Sequence, residues 1–79
     1  MELSKDFTAD VELLNLFELD SSQIGLKIHH VASPERIASA KRLFDSKLTT
    51  QVDGGYLTPL GIEAAKHAQA LIRILQPAP

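Results

Sequence analysis

The chain has 79 residues, no cysteine and a formal charge of −2, which allows one domain, spanning 1–79, and excludes disulfide staples and thiolate metal sites. A domain this small buries only about 60% of the surface its unfolded chain exposes, so it needs an efficient apolar core, a partner subunit, or both. No apolar run approaches the roughly 20 residues that span a bilayer, and M-E-L-S-K-D-F is no charged-then-apolar leader, so a cytoplasmic protein with no membrane partner is expected.

Charge is unevenly spread. Residues 1–20 set Lys5 against Glu2, Asp6, Asp10, Glu12, Glu18 and Asp20, whereas residues 33–50 set Arg36, Lys41, Arg42 and Lys47 against Glu35 and Asp45. Residues 8–19, T-A-D-V-E-L-L-N-L-F-E-L, read as a helix capped by Thr8, with Asp10 and Glu12 in its first turn. Its apolar face, Val11, Leu13, Leu14, Leu16 and Phe17, is broader than one core-facing stripe requires and suits a second subunit as well. D-S-S-Q at 20–23 is a turn, and Ile24, Leu26 and Ile28 then alternate with Gly25, Lys27 and His29 as a short strand.

Ser33-Pro34-Glu35 combines a cap, a first-turn proline and an acid, so a second helix should run to about Lys47. Ile37, Ala40, Phe44 and Leu48 form its predicted core stripe. Glu35, Ser39, Arg42 and Ser46 form its predicted solvent face. Asp53-Gly54-Gly55 supplies the positive φ of a two-residue hairpin turn. Thr50, Val52 and Leu57 should then face the core, with Thr49, Gln51 and Tyr56 outside. Thr58-Pro59 repeats the cap-plus-proline start and launches a last helix. That helix sets Gly61, Ala64, Ala65, Ala68, Leu71, Ile72 and Leu75 on one side, for close packing on the first helix or on a second copy. Residues 76–79, Q-P-A-P, read as a frayed tail.

The predicted architecture is α+β, in the order helix, strand, helix, hairpin, helix: three helices and a small antiparallel sheet. The phrase L-F-D-S-K-L-T-T-Q-V-D-G-G-Y-L-T-P-L-G resembles the back half of bacterial winged-helix regulators, where a helix leads into a hairpin wing and an L-T-x-x-G phrase opens the final helix. The whole chain is also similar to a family of short uncharacterised bacterial proteins, through its Leu-Asp-Ser turn, Gly-Leu-Lys-Ile strand and Asp-Gly-Gly-Tyr-Leu-Thr hairpin. The first likeness implies a winged-helix-like domain; the second implies no activity. Two departures weigh against a DNA-binding wing. Asp53 puts an acid at the tip, where phosphate would be repelled, and 19–33 has no room for the supporting helix of a helix-turn-helix.

Chemistry-bearing residues are sparse. His29, His30 and His67 are the metal-capable nitrogens, and adjacent strand residues point to opposite faces, so no metal site is expected. Gly54-Gly55 precedes a strand rather than a helix and is no phosphate loop, so no cofactor is expected. No catalytic motif stands in its required context, so the chain reads as non-enzymatic. The reading is a binding module. DNA would be contacted through Lys27, Arg36, Lys41, Arg42, Lys47, Gln51 and Tyr56. The alternative is a homodimeric protein-interaction module, paired through 8–19 and 61–75, that binds no nucleic acid.

Overall fold

The computed structural model describes residues 2–20, 25–29 and 31–76. Helix α1 spans Lys5–Leu14, strand β1 Leu26–Lys27, helix α2 Pro34–Asp45, strands β2 Thr49–Gln51 and β3 Gly54–Leu57, and helix α3 Pro59–Leu75. The sheet is antiparallel with order β1-β3-β2, so the last strand is central. Three helices and a small sheet in this order are the predicted α+β arrangement. Residues 21–23 of the predicted turn, Ile24, His30 and 77–79 lie outside the described residues.

Helix α1 begins one turn earlier than the sequence reading. Ser4 is the cap, its Oγ accepting from the Phe7 amide at 3.0 Å, and Thr8 sits inside the helix with its hydroxyl donating back to the Ser4 carbonyl at 3.1 Å. The helix also closes earlier, at Leu14, because α3 captures its end. The Gln69 side-chain amide donates to the carbonyls of Leu14 at 3.2 Å and Phe17 at 2.8 Å, groups a helix terminus leaves unpaired. Phe17 thereby returns to the core, while Leu16 is left half exposed.

Helix α2 is capped by Ser33 as expected, but ends at Asp45 instead of Lys47. Lys47 takes a left-handed φ of 65°. The Leu48 amide donates to the Leu43 carbonyl and the Lys47 amide to the Phe44 carbonyl, both at 2.9 Å. This is the paired closure that ends many helices, with a lysine where glycine is usual. The helix is also rotated against its predicted stripe. Ser39, Ala40 and Leu43 are buried, while Ile37 and Phe44 stay 41% and 39% exposed. Asp10 of α1 is the cause, because it binds Ser39 and Arg42 and turns that polar edge inward.

In the hairpin, Gln51 pairs with Gly54 and Thr49 with Leu57, so the loop is Val52-Asp53, and both glycines belong to β3. Two residue steps on β2 face three on β3. The extra residue is a bulge, which flips the parity beyond it. Thr49, not Thr50 or Val52, is therefore the buried residue. Thr50 instead uses its hydroxyl to accept the Tyr56 amide at 2.9 Å, which bridges the gap in the ladder. Gly54 has φ 117°, and a Cβ there would stand 2.2 Å from the Leu26 carbonyl oxygen, so only glycine lets β1 pair with β3.

Helix α3 starts as predicted. The Thr58 hydroxyl accepts the Gly61 amide at 3.0 Å and donates to the Lys47 carbonyl at 2.7 Å, binding the end of α2 to the start of α3. The core is Leu13, Leu14, Phe17, Ala40, Leu43, Ala65 and Ala68, with Leu26, Ile28, Leu48 and Leu57 packed on it. The small side chains of α3 let α1 lie close over it, as the stripe predicts.

Candidate functional site

Two surfaces of the domain expose side chains suited to binding, the basic positions and the apolar face of α1 and α3. The basic side chains of α2 point to different neighbours. Arg42 is one-third exposed and turned to α1, with Nη2 2.9 Å and Nε 3.0 Å from Asp10 Oδ1, and Nη1 3.6 Å from Asp6. The hydrogen bond to Asp10 raises the Arg42 pKa; burial opposes it, and the charges of Asp10 and Asp6 reinforce it. Lys41 pairs with Asp45 at 2.9 Å, an exposed one-turn contact. Arg36 is half-buried, and its Nη1 is buried with no hydrogen-bond partner among the described residues. Lys47 is exposed, beyond the helix in its left-handed cap. The acidic first third and the basic middle are thus partly spent on each other.

On the sheet, the structure does gather what the sequence singled out. Lys27, Gln51 and Tyr56 line one shallow concavity on the outer face, together with Gly25, Asp53 and Gly55. Lys27 reaches Asp53 at 3.5 Å, so the acid at the hairpin tip is partly neutralised. Both groups remain in water, where such a pair contributes about 0–1 kcal/mol.

The apolar face is larger. Leu3, Phe7 and Val11 on one side and Leu71, Ile72 and Leu75 on the other form a groove between α1 and α3. Past Phe7, Val11 and Leu71 it continues as a cleft floored by Leu14, Leu43 and Ala68 and edged by Asp10, Arg42 and His67. Leu3, Phe7, Leu71, Ile74 and Leu75 are each at least half exposed. The sequence reading included Leu71 and Leu75 but missed Leu3 and Phe7. Had Ser4 been read as the cap, the one-turn spacing of Leu3, Phe7 and Val11 would have shown them.

His29 and His67 are exposed, and among the described residues no three His, Cys, Asp or Glu side chains come together to hold a metal. No helix among the described residues is long and apolar enough to cross a membrane.

A family profile, described as a family of unknown function (DUF5669), matches residues 1–76. The chain belongs to this family of unknown function. Its likeness to short uncharacterised proteins therefore stands on nearly the whole of the DUF5669 chain. No curated protein and no solved structure matches it.

Proposed function

We propose that this DUF5669 chain is a non-enzymatic interaction module whose apolar α1/α3 face binds a second copy of itself. The carrying observation is the apolar surface left bare on that face, where Leu3, Phe7, Leu71, Ile74 and Leu75 are each at least half exposed. Contiguous exposed apolar surface of this kind marks an interaction site. Leu71, Ile74 and Leu75 of α3 and Leu3, Phe7 and Val11 beside them form one continuous apolar surface, which a two-fold axis would set against its own copy.

Sedimentation should give a mass near twice that of the chain. Leu71→Lys should raise the dimer dissociation constant at least about 30-fold, because a buried interface residue of this kind is worth about 2 kcal/mol or more. Leu71 is half exposed in the single chain, so the variant should keep its helical circular dichroism. A single-chain mass at high protein concentration would overturn the reading.

The convergence of Lys27, Gln51 and Tyr56 supports a second reading, DNA binding through the hairpin's outer face. The resemblance to a winged-helix hairpin adds to it. Duplex DNA titrated in dilute salt should then bind, weaken steeply as salt rises, and bind less to Lys27→Ala or Tyr56→Ala. No binding in dilute buffer would remove this second reading and leave the first untouched.

A further inference from the structure

The exposed side of α3 carries a seam distinct from the one that builds the core. Gly61, Ala65, Ala68 and Ile72 face inward at spacings of four, three and four. Leu60, Ala64, His67, Leu71 and Ile74 run beside them at four, three, four and three. In this second row only Ala64 is partly buried; Leu60, Leu71 and Ile74 are 57%, 54% and 74% exposed, and His67 is exposed as well. A three-four alternation over two heptads is the pattern by which one helix packs along another. The inward row and Ala64 supply α3's packing on the core, and among the described residues Leu60, His67, Leu71 and Ile74 stay exposed beside it.

Resting on the dimer reading above, we infer that α3 pairs with α3 of the second copy in antiparallel fashion, with His67 at the two-fold axis. Size decides the direction. Run antiparallel about His67, the row sets small Ala64 against large Leu71 of the other copy, and Leu60 against Ile74, so bulges meet gaps. A parallel pair would set Ala64 on Ala64 and Leu71 on Leu71, leaving a void at one layer and crowding at the next. Antiparallel helices also oppose their macrodipoles. The neighbouring Glu63 falls beside Ala70 of the other copy, so no like charges meet across the seam.

The absence of native cysteine makes single-cysteine variants clean reporters. His67→Cys should oxidise to a disulfide-linked dimer as the major species, since facing positions at the axis can come within bridging distance. Ile74→Cys alone should not cross-link, because antiparallel copies hold that position about 21 Å apart. A mixture of Leu60→Cys and Ile74→Cys chains should cross-link to each other. Masses measured under reducing conditions separate the failures. If His67→Cys is dimeric by mass but forms no disulfide, or if Ile74→Cys cross-links to itself, the antiparallel geometry is wrong and the dimer stands. If the unmodified chain has a single-chain mass, the dimer reading falls and this inference with it.

Discussion

Replacing Gly61 by alanine is expected to lower the melting temperature by about 12–24 °C, read by circular dichroism or calorimetry. Gly61 lies in the first turn of α3, where helix propensity alone would favour alanine by up to about 1 kcal/mol. Sterics oppose this more strongly. A Cβ at Gly61 would stand 1.9 Å from the Leu48 carbonyl oxygen and 2.9 Å from its carbon, and both are backbone atoms that no rotamer change can move. Relief requires parting α3 from the 47–48 turn. That strains the Thr58 hydroxyl bond to Lys47 and the 3.0 Å bond from the Thr58 amide to the Leu48 carbonyl. A cost of about 3 kcal/mol is the scale of a core overlap. In a domain of this size each kcal/mol shifts the midpoint by about 4–8 °C. An unchanged or raised midpoint would show that propensity wins and that the close approach is not rigid.

Asp10→Ala should cost about 2–4 kcal/mol in urea unfolding. Asp10 is the junction of α1 and α2, accepting from the Ser39 hydroxyl at 2.5 Å and from Arg42. Ser39 is fully buried, so its hydroxyl would be left without an acceptor, a loss of about 1–3 kcal/mol. Arg42 would lose its nearest carboxylate. Its share is smaller, because the side chain is one-third exposed, water can replace part of the contact, and Asp6 remains at 3.6 Å. Arg42→Ala should therefore be the milder variant. The double variant should cost less than the sum of the two, because the residues share one network. Strict additivity would mean that the two residues act independently and that the Asp10 carboxylate does not hold α2 in its rotation.

What was legible in the sequence was local. Ser33-Pro34 and Thr58-Pro59 announce their helices because a cap and a proline act within four residues, and both caps form as read. Asp53-Gly54-Gly55 marks a reversal for the same reason, although the loop lies one residue earlier, at Val52-Asp53. What was not legible depended on a distant partner or on a count. Ser4 and Thr8 are both competent caps, and nothing within the segment chooses between them. Period-two reasoning assumes an unbroken ladder, so one bulged residue was enough to exchange Thr50 for Thr49. The helical wheel placed Ser39 and Arg42 in solvent because both are polar; Asp10, some thirty residues away, brings them in. The candidate site followed the same division. The bases could be named from the sequence, but not their partners, and it is the partners Asp6, Asp10 and Asp45 that keep them from forming one cationic face.

Helix α1 is fastened differently from α2 and α3. The end of α2 and the start of α3 are joined through backbone and cap hydrogen bonds at Lys47, Leu48, Thr58 and Gly61. Among the described residues α1 has no main-chain to main-chain bond to any other element. It is held by apolar contact and by side-chain clasps, Asp10 on Ser39 and Arg42, and Gln69 on the Leu14 and Phe17 carbonyls. Its seating therefore depends on side chains alone: Leu13, Leu14 and Phe17 in the core, and the two clasps beside it. Since α1 is also one wall of the groove, the surface offered to a partner exists only while this helix is seated, and a partner bound there would hold it closed.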